Sequence, residues 1–547
     1  MTTTSPRLVT PAQGAALDSA HVGDIKGALG TISVDDTGTR KTLPARLKTL
    51  LAIVGPGLIV MIGDNDAGAF STYGQAGQTY GTKLLWTFVL LIPVLYVNQE
   101  MVLRLGAVTG VGHARLILER FGRFWGAFSV IDLFALNALT IVTEFIGIAL
   151  AASYLGVPRI VAVILASVVM VFAASTGSFR RFERVAMAFC AGSLLLVPLY
   201  VLAHPSAGQV AAGFVLPTIP GGSARLSGVM LLIIGIVGTT VAPWQLFFQQ
   251  SYIIDKRITP RFMRYEKVDL WVGIVVAIVG GGALMAATAA AFAGRSVPFT
   301  DASGLAAGLS AYAGRAAGAI FAVALLDASM IGAFAVSLST AYAVGDMFGM
   351  KHSLHRGVRQ AKGFYAMYAA LIAVAAAIVL IPGSPLGLLT EGVQVLAGVL
   401  LPSATVFLLM LCNDKEVLGP WRNGRATNIF AVGVVGVLVL LSVILTIAVL
   451  FGTVTPAQIV AILATGATAA VLALAVMAVR GWRRRGTPGA GPVDRNGRES
   501  WRMPPLAMLA PVQMSLGRRV GMAAMWVYLG AVIVLVIVRV AELALGH

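Results

Sequence analysis

Residues 50–73 read LLAIVGPGLIVMIGDNDAGAFSTY, and the fold turns on how a run that is apolar on both sides accommodates Asp64, Asn65, Asp66 and Gly68 in its middle. A helix crossing a bilayer needs about 20 predominantly apolar residues, because the hydrocarbon offers no water to solvate charge. An ionised acid at that depth costs roughly 2.5–3.5 kcal/mol on insertion scales, so an acid found there is a functional candidate first. Asp66 is such a candidate. Asp64 reads equally well as a cavity-wall acid or as a locally paired one. The acids and glycines resist continuous helix, so the span is read as two half-helices with unwound backbone between them. Such backbone is tolerated in a membrane only where it is buried in protein or lines a water-filled path.

The rest of the 547-residue chain supports a membrane reading, with 58% hydrophobic and 12% charged residues distributed as repeated apolar runs. The fold class is all-α and polytopic, with candidate spans near 50–80, 84–103, 124–150, 159–177, 185–203, 226–253, 268–293, 316–348, 363–381, 387–412, 427–451, 457–479 and 521–543. A formal charge of +17 would suggest nucleic acid for a soluble protein. Here the basic residues fall on alternate loops, among them Arg104 to Arg123, Arg180 to Arg184, Lys256 to Lys267, Lys351 to Lys362 and Arg480 to Arg519. That one-sidedness follows the positive-inside rule and gives about 13 spans, a cytoplasmic N-terminus and a multi-pass protein of the plasma (inner) membrane, with lipid and not nucleic acid as its surroundings. Cys190 and Cys412 both sit in apolar runs and read as small buried thiols.

Composition divides the chain further. Residues 1–45 carry no long apolar run and read as a disordered cytoplasmic tail. Residues 46–412 form the core, 427–479 two additional helices, 480–520 a basic cytoplasmic linker and 521–547 an extra span. A second interrupted span, GTTVAPWQ at 238–245, lies five spans after the first. That spacing is what an inverted five-helix repeat produces, here 46–203 and 226–412, with discontinuous helices meeting near the midplane.

Residues 55–86, GPGLIVMIGDNDAGAFSTYGQAGQTYGTKLLW, resemble the first-helix region of the Nramp metal-ion transporters, with its Gly-Pro-Gly, Asp-Pro-Gly-Asn and Leu-Leu-Trp elements. NQEMVLRLGAVTG at 98–110, TEFIG at 143–147, GIVGTTVAPWQLFFQQS at 235–251 and EGVQVLAGVLLPSATVFLLMLCNDKEVLG at 391–419 are similar to its second, third, sixth and tenth helices. The resemblance implies a LeuT-type fold with an ion between broken helices 1 and 6. It also implies metal donors at Asp66, the backbone near Thr239 and Ala242, and the amide of Gln394, with Asp64, Asn65, Gly68, Glu144, Trp244 and Gln249 along the pathway. Departures from the pattern are several. The family's Asn ligand falls on Ala69, its Met-Pro-His on Ala242-Pro243-Trp244, a second histidine on Gln249 and one helix-3 acid on Ile141, while LLDASMIGAF at 325–334 replaces the eighth-helix motif.

A thioether favours transition metals and gives nothing to hard cations, so an alanine in its place removes that bias. The remaining all-oxygen set suits a cation that keeps several waters, as Mg²⁺ does. The expectation is therefore a carrier of hydrated divalent cations, Mg²⁺ first and Mn²⁺ second, closest to the Nramp-related magnesium transporters. It would work by alternating access without proton coupling, with no cofactor beyond the transported ion and no enzymatic activity. The alternatives are a proton-coupled Mn²⁺/Fe²⁺ importer and a non-transporting metal sensor or scaffold.

Overall fold

The computed structural model describes residues 19–220, 226–382, 386–451 and 497–510, with isolated positions at 457–472 and 512–530. Apart from those isolated positions, the expected spans at 457–479 and 521–543, and most of the basic linker, lie outside the described residues. A short hairpin, β1 (Ile25–Lys26) and β2 (Thr31–Ile32), precedes the first helices α1 (Leu43–Ile53), α2 (Pro56–Ile62) and α3 (Ala67–Tyr80). Then come α4 (Trp86–Thr109), α5 (His113–Phe121), α6 (Arg123–Tyr154), α7 (Arg159–Ala174), α8 (Phe179–Gly192), α9 (Leu196–Ala203) and α10 (Ala207–Val215). The second half holds α11 (Leu226–Thr240), α12 (Pro243–Asp255), α13 (Met263–Ala291), α14 (Ala302–Ala313), α15 (Arg315–Phe348), α16 (Lys362–Val379) and α17 (Leu386–Cys412). It ends with α18 (Lys415–Leu418) and α19 (Arg425–Phe451).

Among the described residues, nine helices are long and apolar enough to cross a membrane, or ten when the bent pair α1 and α2 counts as one span. The expected figure of 13 is not reached on this criterion, since α7 is only 16 residues long and the last two candidates fall outside the described residues. The first span breaks twice. Gly55, at φ 150° before Pro56, bends α1 from α2 by 52°. A side chain there would be strained by that φ, and its Cβ would stand 2.3 Å from Glu183 Oε1. The second break, from Gly63 to Asp66, separates α2 from α3, and the corresponding break in the second half falls at Val241–Ala242, where Pro243 starts α12. The proline ring lacks an N–H and pre-sets φ, so it sits without cost at the first helical position.

Residues 19–42 do not behave as the disordered tail expected from their composition. The hairpin is seated on the basic face of the molecule because arginines from distant helices take its backbone carbonyls. Arg180 donates to Gly27 O and Gly30 O, Arg184 to Ala28 O, and Arg257 to Ala20 O and Asp24 O. Polar composition alone signals disorder only when no partner surface satisfies the backbone. In the loop after α15, burial draws the His352 imidazole down, but the Asp346 carboxylate 3.1 Å away outweighs this, and the pKa of His352 is pushed up to about 9. Glu100 and Arg104 pair at 3.2 Å one turn apart on α4. Both cysteines are free and buried, as their apolar runs suggest.

Candidate ion site at the helix breaks

Asp66 is the residue before α3, in extended backbone at φ −79° and ψ −171°, and its Oδ1 accepts the Ala69 N–H at 2.9 Å. This is an N-cap, which satisfies one of the orphan donors of the helix start and places negative charge at the positive end of its dipole. The local sequence DAGA favours it, because two small residues and a glycine after the aspartate leave the cap uncovered. Asp66 is buried, and its carboxyl faces Glu144 of α6 closely enough for a hydrogen bond between the two side chains. Glu144 Oε2 also accepts the Ala67 N–H at 3.2 Å, while its Oε1 has no partner.

Gly332 of α15 is what allows the two acids to meet. A Cβ there would lie 2.8 Å from the Glu144 carboxyl carbon and 2.9 Å from Asp66 Cβ. Gly332→Ala is therefore expected to drive the acids apart. Metal uptake should fall at least about tenfold, while the conservative Gly332→Ser, with the same Cβ, should fare no better. Uptake near the parent level in either variant would show that the acid pair is not needed in this geometry.

Gln394 of α17 closes another side. A Cβ on Gly68 would stand 1.8 Å from its Nε2, so the amide occupies the space that a side chain at 68 would fill. Its backbone oxygen packs against Gly238 of α11, one residue before Thr239. The side-chain nitrogen of Gln394 and the hydroxyl of Thr239 are both buried without hydrogen-bond partners. Unpartnered buried polar groups are uncommon; the Thr239 hydroxyl has lone pairs to offer water or a cation, whereas the Gln394 amide would offer a cation its oxygen and not this nitrogen. Ala242 is buried in extended backbone just before α12, and at the end of α11 Val237 O takes the Val241 N–H at 2.9 Å and Thr240 O takes Gln245 Nε2 at 3.3 Å. Ala69 is wholly buried and offers a methyl group where the family pattern has an amide.

The other expected pathway residues divide. Asp64 turns to helix α12, where its Oδ1 accepts a hydrogen bond from Gln245 Nε2 and its Oδ2 has no partner. Gln245 is held in turn by Gln99 Nε2 at 2.8 Å. Asn65 points away from the break and donates to Ala277 O at 3.0 Å, which gives it a structural role against α13. The Trp244 ring is buried with its edge over Gly63, and its carbonyl accepts Ser339 Oγ at 2.9 Å. Gln249 is buried, and neither end of its amide finds a partner. Sequence reasoning missed Gln245, Gln99, Gly332 and the Tyr73 to Thr240 hydrogen bond at 2.7 Å. A signal for the first was present in QLFFQQ at 245–250, amides one turn apart on an otherwise apolar helix.

Among the described residues, no group of three or more His, Cys, Asp or Glu side chains is disposed to hold a metal. An ion at the breaks would be met by one or two carboxyls, an amide and main-chain carbonyls, which is an oxygen-dominated and water-retaining environment.

Residues 57–448 match the family Nramp, described as natural resistance-associated macrophage protein-like. The chain belongs to the Nramp family. Among its relatives, a divalent metal cation transporter MntH of Ralstonia nicotianae is 30% identical over 408 residues, covering 70% of this chain and 88% of the relative. That of Levilactobacillus brevis is 26% identical over 442 residues, covering 76% and 94%. In the crystal, a point mutant of the Eremococcus coleocola manganese transporter has the same fold at TM-score 0.61 and 21% identity, covering 82% of this chain and 96% of that one. The Nramp assignment settles the class as a multi-pass membrane transporter of divalent metal cations. The finer assignment to a magnesium branch has no support among these relatives.

Proposed function

We propose that the chain imports a divalent metal ion by alternating access around the breaks of the first and sixth spans, with Mn²⁺ as the leading substrate. The observation that carries this reading is the convergence of Asp66, Glu144 and Gln394 on unwound backbone deep in an apolar molecule, with unpartnered polar atoms facing the gap. Mn²⁺ accepts carboxylate, carbonyl and water ligands, and it is the ion for which the solved relatives are named. Those relatives draw the reading away from the Mg²⁺ carrier expected first and toward the manganese importer. Mg²⁺ remains the second reading on one specific ground: Ala69 and Ala242 are buried methyl groups where a soft ligand would otherwise stand.

In this reading the arginine-rich face and the N-terminus are cytoplasmic, by the positive-inside rule. A divalent ion entering a cell gains about 4.6 kcal/mol per 100 mV of potential, so the field alone drives import. The test is flux into proteoliposomes holding a metal-sensitive dye. Mn²⁺ should enter well above the rate of empty vesicles, with Mg²⁺ competing in the millimolar range. A pH-sensitive dye in parallel separates proton-coupled import from the uncoupled passage suggested by the missing helix-6 histidines. No metal entry above background would leave the sensor or scaffold reading in its place.

A further inference from the structure

Well away from the ion site, charged side chains are sealed around the joint between α1 and α2. Lys256, at the end of α12, donates Nζ to Ile53 O at 2.6 Å, to Val54 O at 2.9 Å and to Glu183 Oε1 at 2.7 Å. Asp269 of α13 accepts the Gly55 and Gly57 N–H groups at 3.2 and 2.7 Å on one oxygen. The joint is thus gripped through its carbonyls by a lysine and through its amides by an aspartate. Glu183 Oε2 accepts the Ala28 N–H of the N-terminal hairpin at 2.5 Å, which closes the cluster from the basic face.

Glu266, one turn before Asp269, has no hydrogen-bond partner on either oxygen, and the second oxygen of Asp269 has none. Glu183, Lys256, Glu266 and Asp269 are all 0% exposed. Tyr252 of α12 is also 0% exposed with an unpartnered hydroxyl, and the charges of Glu183 and Asp269 are near enough to act on it. Three carboxyls therefore surround one ammonium. Arg180 lies near Glu183, but its guanidinium is spent on the hairpin carbonyls. Full ionisation would leave uncompensated negative charge in a space sealed from bulk solvent, at several kcal/mol for each ion. The carboxyls do not form a metal cage, which leaves the proton as the compensating cation.

We propose that Glu266 and Asp269 form a buried proton site on the hinge of the first span, filled while the basic face is closed and emptied when α1 swings away. This rests on the transporter reading, since only a carrier that alternates needs the hinge to move. On opening, water reaches the pair, the carboxyl O–H bond breaks, the proton passes to water and the carboxylate stays on α13. Closing reverses each step. The charged groups around Glu266 are Asp269 on its own helix, Lys256 from the end of α12 and Glu183 from α8, while the Tyr252 hydroxyl and the Cys190 thiol lie near Glu183 and Asp269. Low pH on the basic face accordingly holds the hinge shut.

The test uses maleimide labelling of Ile53→Cys in purified protein carrying Cys190→Ala and Cys412→Ala. Ile53 is fully buried, and the exposed position Leu43, as Leu43→Cys, serves as the reference for thiol reactivity at each pH. The ratio of the two rates should rise with pH, by up to about tenfold per unit where one proton is released. In Glu266→Gln, which keeps the shape of the protonated acid, the ratio should stay low and flat over that window. A flat ratio in the Glu266 protein, or the same rise in Glu266→Gln, overturns the proposal, and the first of these needs no variant at 266. Metal uptake in proteoliposomes is measured on the same preparations. Uptake with a flat ratio removes the proton site and keeps the transporter, whereas a moving ratio without uptake removes the transporter reading.

Discussion

Asp66→Asn is expected to lower metal uptake at least about 100-fold while leaving the folded protein nearly as stable as its parent. Loss of a group behind a metal ligand typically costs 10–100-fold, so loss of the one carboxylate that heads α3 should sit at or beyond the upper end. The choice of asparagine matters. Asp66 is both a proposed ion donor and the N-cap of α3, and Asn caps a helix about as well as Asp. The variant therefore removes the charge and keeps the cap. Asp66→Ala removes both and should show an additional destabilisation of about 1 kcal/mol, visible as a lower melting temperature in detergent. Two measurements on the pair, uptake in proteoliposomes and thermal unfolding, separate the roles. Transport by Asp66→Asn within a few-fold of the parent would place the ion elsewhere, and Asp64, whose free oxygen is also buried, would be the next residue to examine.

The breaks that make this site were legible in the sequence because they violate a strong local rule. Acids, glycines and a proline inside runs of apolar residues have few explanations in hydrocarbon, and the structure divides helices at both places. The same logic singled out Asp66, and the family resemblance pointed to Glu144; the fold brings the two together although 77 residues separate Glu144 from the Ala67 N–H it accepts. What the sequence hid is set by long-range geometry. Gly332 looks like any helix glycine until the side chains opposite it are placed. Asn65 sits between the two acids in the chain, yet the turn at the break sends its amide to α13. The hairpin at 25–32 has the composition of a tail, and its order comes from arginines that lie about 150 or more residues downstream. The paired carboxyls at 266 and 269 resemble an ordinary helix start on the polar boundary, and only their complete burial marks them out.

Selectivity gives the second large expected effect. Ala242→Met returns a thioether to the start of α12, beside the C-terminal end of α11, and should raise preference for a soft ion such as Cd²⁺ over Mg²⁺ by about tenfold or more. A tenfold change corresponds to about 1.4 kcal/mol of differential binding, which one added soft ligand can supply. Because Ala242 is buried, the longer side chain also adds volume, and overpacking costs typically 1–3 kcal/mol wherever it occurs. Ala242→Leu carries similar bulk without sulfur, so it isolates the ligand effect from the steric one. Both variants should slow uptake of every ion through crowding, but only the methionine should reorder the ions. Competition of Cd²⁺, Mn²⁺ and Mg²⁺ for uptake in proteoliposomes reads this directly. If methionine and leucine give the same order as the parent, residue 242 does not face the ion, and the hard-ligand character of the gap must rest on Ala69 and Gln394 alone. If the leucine variant reorders the ions as the methionine does, then the width of the gap and the water it admits set the preference, and ligand softness has no part in it.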